Sequence, residues 1–392
     1  MQAKGEKRHL DRVAHKLLAP LLEEPYSARS GWRLMGYDAE QGISLFLEGH
    51  GRVLLMELDR RNESRDCYAH TALFNVVVRN YYAPRTPLTA MDHALTARLI
   101  KLIRHRERGI ELPERPTTGR RSMVRLIEVD RLLVAEGFGQ YYINPYVGCT
   151  IGCPFCWAAE RADLSRHLEG LPRMGWGRYV DVKVNAPEIL ADEITGHPPG
   201  PVRFSPVVTD PYQPIERHHR ITRRCLEVLE GSGFTPVILT RAARVLEDLP
   251  LLRRFSDALV GFSIPTDDDS VRRKFEPGAD PIEERLNALA VLRNAGVATF
   301  ALIQPVLPMD PERLITLLAP LVDTVRIDRL HLSSDTEASP AEASGALPAA
   351  EGNRLQRMLH EGLRAHGVAV DDMDLLNRPA PREGGHPPET ED

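Results

Sequence analysis

Residues 140–157 read Gln140-Tyr141-Tyr142-Ile143-Asn144-Pro145-Tyr146-Val147-Gly148-Cys149-Thr150-Ile151-Gly152-Cys153-Pro154-Phe155-Cys156-Trp157. The aromatic and β-branched run over 140–146 predicts a strand. A loop with two glycines and three cysteines follows, and helical spacing then extends over 156–167. The same strand–loop–helix order recurs downstream. Further strands are predicted over 202–208, 236–240, 258–264, 299–305 and 325–331, with helices over 215–229, 246–255, 281–295 and 311–321. Strands joined by helices of this length pair in parallel through right-handed crossovers. Six such units predict an α/β fold, a partial (β/α)6 barrel of parallel strands, with a strand–helix piece over 179–194 inserted after the first helix.

Upstream the pattern differs. Strands are predicted over 43–48 and 53–58, joined by Gly49-His50-Gly51, a hairpin signal, and a third over 71–78. A helix over 91–106 places Leu95, Leu99, Leu102 and Ile103 on one face. This is a smaller N-terminal α+β domain over 1–112, followed by a Pro-rich linker over 113–121 and the barrel over 122–335. An extension over 336–378 carries a helix over 354–366, and the Pro-, Gly- and Glu-rich tail 379–392 reads as disordered.

Composition narrows the function classes. The 392 residues are 42% hydrophobic, enough for a sizeable core, and the formal net charge is only -5. That balance does not support a nucleic-acid-binding protein, although Arg217, His218, His219, Arg220, Arg223 and Arg224 form a local basic cluster. No targeting segment and no apolar run of about 20 residues is present. The expectation is a cytoplasmic protein with no membrane association.

Of the five cysteines, Cys149, Cys153 and Cys156 are clustered, whereas Cys67 and Cys225 stand alone. An odd count in a long chain does not suit a disulfide framework. Thiolates suit iron–sulfur clusters and zinc. Three of them in one loop can grip three corners of a cubane and leave one iron open. Zinc would need a fourth ligand, for which His167 is the nearest, and a redox pair of Cys153 and Cys156 leaves Cys149 unexplained.

The spacing CxxxCxxC with Phe155 before the last cysteine resembles the radical S-adenosylmethionine (SAM) superfamily. Asn144-Pro145-Tyr146, Lys183-Val184-Asn185, the stretch Val208-Thr209-Asp210-Pro211-Tyr212-Gln213-Pro214-Ile215-Glu216, and Phe275-Glu276-Pro277-Gly278 with Glu284-Arg285 together resemble its spore photoproduct lyase-like branch. The resemblance covers residues 124 to 332. It implies a [4Fe–4S] cluster on Cys149, Cys153 and Cys156. The open iron of that cluster chelates the amine and carboxylate of SAM, and reductive cleavage yields a 5′-deoxyadenosyl radical that abstracts hydrogen from a substrate. It also implies an electron donor such as flavodoxin or ferredoxin.

Site residues follow from the same resemblance. Phe155 falls where the family places an aromatic near the adenine. Thr209-Asp210-Pro211-Tyr212 replaces the Gly-Gly-Glu-like segment that receives the SAM amine, which makes Asp210 a candidate. Ser263 closes the fourth strand, and Arg273 is a candidate for the SAM carboxylate. Read from the residues alone, Phe155 is also a core aromatic, Asp210-Pro211 a turn, Arg273 part of a solvated run, and Glu276 with Arg285 an ion pair. No cysteine lies between Cys156 and Cys225, so the further catalytic cysteine of spore photoproduct lyases has no counterpart, and thymine-dimer repair is not expected. Peptide or protein, nucleic acid and metabolite remain as substrate classes. The alternative to an enzyme is a non-enzymatic iron–sulfur or zinc protein used for sensing or interaction.

Overall fold

The computed structural model describes residues 13–18, 31–39, 43–60, 68–71, 73–84, 86–108, 110, 123–156, 158, 159, 162, 166, 171, 174–204, 209–327 and 347–370. The predicted linker, the tail expected to be disordered, Cys67, His167 and the predicted strand segments 205–208 and 328–331 lie outside them. No helix among the described residues is long and apolar enough to cross a membrane.

Five antiparallel strands come first: β1 (Trp32–Asp38), β2 (Ile43–Gly49), β3 (Arg52–Arg60), β4 (Ala69–His70) and β5 (Phe74–Asn80), in the order β1-β2-β3-β5-β4. The β2–β3 hairpin turns through His50 and Gly51, both at positive φ, which matches the twist of the flanking strands. The helix Ala90–Arg106 packs Leu95, Leu99, Ile100 and Ile103 against Leu45, Leu54 and Met56 of the sheet. Thr89 and Asp92 form a capping box at its start, and Arg52 grips the Asp92 carboxylate with two hydrogen bonds of 2.9 Å.

The remaining strands are β6 (Met123–Ile127), β7 (Val134–Gly137), β8 (Gln140–Ile143), β9 (Tyr146–Val147), β10 (Tyr179–Lys183), β11 (Pro201–Phe204), β12 (Thr235–Thr240), β13 (Leu259–Ser263), β14 (Ala298–Ile303), β15 (Thr324–Ile327) and β16 (Ala369–Val370). Eight form one sheet in the order β16-β15-β14-β13-β12-β11-β8-β7. From β8 to β16 every neighbouring pair is parallel, and only the β7–β8 hairpin is antiparallel. The sheet keeps edges at β7 and β16, so the expected partial barrel is present and open.

Alternation along these strands divides two faces. Val202, Phe204, Ile238, Val260, Phe262, Ala301, Ile303, Val325 and Ile327 enter one core with Leu226, Leu289, Leu314 and Leu359 of the helices. The intervening residues Arg203, Val237, Leu239, Gly261, Ser263, Phe300 and Leu302 lie on the other, inner face. A Cβ on Gly261 would sit 2.4 Å from the Phe300 ring, so the glycine lets that ring lie across the strand.

Several elements differ from the sequence expectation. The strand predicted over 140–146 is two strands, because Asn144-Pro145 interrupts β8 and sends the chain into β9, which pairs with β10 in a separate sheet ordered β6-β10-β9. The helix predicted over 215–229 is broken at Arg220, which has φ 52. That left-handed residue turns the chain so that the Glu216 carboxylate accepts the Thr222 and Arg223 N–H groups, each at 3.1 Å, capping the helix Ile221–Leu229. Residues 246–255 form a 3-10 turn and the short helix Leu249–Leu252.

The N-terminal sheet lies across the β7 edge. Phe46 and Leu55 pack on Val134 and Tyr142, and Gly36 comes so close that a Cβ there would be 2.8 Å from the Ala135 carbonyl oxygen. Covering an edge in this way removes an open template for pairing. Buried Glu136 accepts hydrogen bonds from Tyr81 and Arg203, tying the two sheets together.

Candidate active site

In parallel α/β sheets, residues beyond the C-terminal ends of the strands converge on one mouth. Here those ends bring together the cysteine loop, Asp210, Thr240-Arg241 and Ser263. Short β9 aims the loop: it pairs with β10, and Gly148 (φ 87) passes so near Tyr179 that a Cβ would lie 2.4 Å from its carbonyl oxygen.

The stretch from Thr209 to Glu216 clamps the loop from one side. Thr209 Oγ1 donates to the Gly148 carbonyl at 2.8 Å, and Gln213 Nε2 donates to the same oxygen at 3.0 Å. The Thr150 N–H donates to Gln213 Oε1 at 2.9 Å. Glu216 accepts from the Tyr146 hydroxyl just upstream of the loop. Burial pushes the Glu216 carboxyl up to about 7, against the hydrogen bonds that favour its charged form. From the other side, the Gly278 N–H donates to the Ile151 carbonyl at 3.0 Å, and a Cβ on Gly278 would be 2.8 Å from Ile151 Cα.

Cys149 and Cys153 are buried and Cys156 is half-buried; all three are free thiols. They share one apolar cluster with Ile151, Phe155, Trp176 and Ala279. Burial pushes the Cys149 thiol up to about 12, with the Asp210 charge acting the same way. Burial also raises Cys153 and Cys156. Backbone N–H groups oppose the rise, those of Ile151 and Asp210 at Cys149 and those of Ala158 and Ala159 at Cys156. Such thiols stay protonated near neutrality until a metal displaces the protons. Three free thiols in one loop are a soft donor set that fits an iron–sulfur cluster.

Asp210 is buried and its carboxylate is engaged by its own chain. Oδ1 accepts from Thr240 Oγ1 at 2.6 Å and the Tyr212 N–H at 2.9 Å, and Oδ2 accepts from the Arg241 N–H at 2.8 Å. It thereby locks the segment after β11 to the end of β12. Ser263 is the opposite case. It is fully buried at the end of β13, and its Oγ has no partner among the described residues. Beside it, Arg285 Nη1 donates to the Ser263 carbonyl at 2.7 Å, while Nη2 has no partner among the described residues. Two orphaned buried polar atoms in one mouth suit a polar ligand.

Arg273 is not brought to the loop. Its side chain is 65% exposed and pairs with Asp269 at 2.8 Å. Arg241 is the cation at the mouth, paired with buried Glu276, which also binds Arg285 Nη1 at 2.7 Å. The sequence reading missed Arg241 and Gln213. The strand-end rule that selected Ser263 also points to Arg241, one residue beyond β12.

Residues 143–318 match the model of the radical SAM superfamily. An uncharacterized protein of Methanocaldococcus jannaschii is 30% identical over 200 residues, covering 50% of this chain and 73% of that protein. The radical SAM Nα-GlyT isomerase of a Pseudomonas phage is 27% identical over 166 residues, 42% of this chain and 33% of the isomerase. Among solved structures, a spore photoproduct lyase is similar with a TM-score of 0.45 and 17% identity, covering 59% of this chain and 75% of that one. The family match over residues 143–318 and the two relatives by sequence, with the three-cysteine loop, make the chain an enzyme of the radical SAM superfamily.

Proposed function

We propose that Cys149, Cys153 and Cys156 hold a [4Fe–4S] cluster whose open iron binds SAM, and that the enzyme abstracts hydrogen from a substrate carried on the inner face of the open barrel. The observation that supports this reading is the joint placement, at one mouth, of three free thiols and the unpartnered Ser263 hydroxyl. When bound, the cluster supplies the electron and SAM the 5′-deoxyadenosyl group that takes the hydrogen atom.

The chain's own residues bind, orient and exclude water. The deprotonated cysteines grip three irons, and Gln213, Thr209 and Gly278 fix the loop that carries them. Phe155, Ile151, Trp176 and Ala279 keep solvent from the sulfurs, with Phe155 also placed for the adenine. Ser263 Oγ would accept from the SAM amine. Asp210 acts chiefly by holding the mouth in shape and would be a second acceptor for that amine. Arg273 would have to leave Asp269 to meet the SAM carboxylate. The N-terminal domain over 1–112 covers the β7 edge and serves substrate recognition; the barrel over 122–335 carries the chemistry, and 336–378 extends it. A flavodoxin or ferredoxin in the cytoplasm supplies the electron.

The test of the SAM site is equilibrium binding to anaerobically reconstituted Ser263→Ala. SAM affinity falls by about 1–3 kcal/mol, the range for leaving a buried hydrogen-bonding group without its partner, while iron and sulfide content stay unchanged. Wild-type affinity in this variant would remove Ser263 from the site.

A further inference from the structure

The cysteine loop has a buried cation built against it, and its backbone is fixed from both sides. The Arg241 N–H donates to Asp210 Oδ2 at 2.8 Å, and its carbonyl accepts the Asp280 N–H at 3.2 Å. The side chain is 13% exposed, and its Nε donates to Glu276. Glu276 is itself held by Arg285, and two residues later Gly278 sits on Ile151 with no room for a Cβ. The guanidinium is therefore carried against the loop by contacts that leave it little freedom.

We infer that Arg241, balanced by Glu276, sets the reduction potential of the cluster held in this loop. Reduction adds one electron to the cluster and forms or breaks no bond, so the reduced state is more negative by one charge. A buried positive charge held against the loop that carries the sulfurs favours that state and raises the potential. The carboxylate of Glu276 opposes it, and Arg285 shares that carboxylate, so the guanidinium of Arg241 is only partly neutralised. The inference rests on the cluster assignment above, and concerns its energetics rather than its existence.

The experiment is potentiometric titration, followed by electron paramagnetic resonance, of anaerobically reconstituted protein without SAM. Arg241→Gln shifts the one-electron equilibrium at least tenfold toward the oxidised cluster, a fall of about 59 mV. Arg241→Lys, which keeps the charge, retains at least half of the wild-type advantage. Glu276→Gln moves the potential upward; if it does not fold, the Arg241 pair decides alone. The inference is overturned if Arg241→Gln leaves the potential unchanged, even when SAM binding weakens, or if Arg241→Gln and Glu276→Gln move it in the same direction. A wild-type chain that takes up iron and sulfide but shows no such dependence contradicts only this inference. One that takes up neither contradicts the cluster assignment as well.

Discussion

Cys149→Ala, Cys153→Ala and Cys156→Ala each abolish cluster binding, whereas Cys67→Ala and Cys225→Ala leave it intact. Anaerobic wild-type protein contains about four irons and four sulfides per chain, the cubane stoichiometry. The loss is complete because the proposed cluster takes its three protein ligands from this one loop. The thiols are held high by burial, so binding must release their protons, and losing one thiolate weakens the grip on the whole cluster. Cys225 is fully buried on the helix Ile221–Leu229, among core side chains, with its thiol also pushed up by burial. It is a packing residue, and its removal leaves the loop untouched. Iron and sulfide analysis checks all five variants; zinc as the sole stoichiometric metal, without sulfide, would refute the assignment.

Glu276→Ala unfolds the site from below. Glu276 and Arg285 are both fully buried, and the same carboxylate holds Arg241. Burial alone would raise this carboxyl, but the Arg285 and Arg241 guanidiniums override it and hold it below the usual range. Removing it strands two buried cations, at a cost of about 3–5 kcal/mol. That is a large share of a typical total of 5–15 kcal/mol. Chemical denaturation of the metal-free chain reads the loss directly. The sign with pH follows from the lowered value. The contribution is complete above the ordinary glutamate value of 4.5 and is lost as pH falls through the native one, so the gap between wild type and variant narrows in acid. A variant as stable as wild type at neutral pH would show that the pair does not support the mouth.

The parallel strands were legible because each is a short apolar run fenced by helical spacing, and burial on both faces leaves no other reading for Val202, Val260 or Ala301. β1, β4, β6, β7 and β16 were not read. β16 has only two residues, Ala369 and Val370, and β6 alternates Met123, Val124, Arg125, Leu126 without a clear apolar face. The helix break at Arg220 was invisible because its cause, the Glu216 carboxylate capping the next helix, is a side-chain contact across a turn. In the site, the cysteines and Ser263 stood out by residue type or by place at a strand end. Asp210 was chosen as the counterpart of the segment that receives the SAM amine, yet its carboxylate is spent on Thr240, Tyr212 and Arg241. Arg273 was chosen for its chemistry. The helix Asp269–Phe275 turns it outward to Asp269, while the preceding residue, buried Arg272, donates to the Ala279 carbonyl at 3.1 Å.

The central claim, that this chain cleaves SAM at a cluster held by its cysteine loop, is tested most directly by one assay. Anaerobically reconstituted protein is reduced with dithionite, given SAM, and analysed for 5′-deoxyadenosine by chromatography and mass spectrometry. The account predicts 5′-deoxyadenosine from the wild type and none from Cys153→Ala. A wild-type protein with a full complement of iron and sulfide that forms no 5′-deoxyadenosine, or a Cys153→Ala variant that forms as much as wild type, would contradict it.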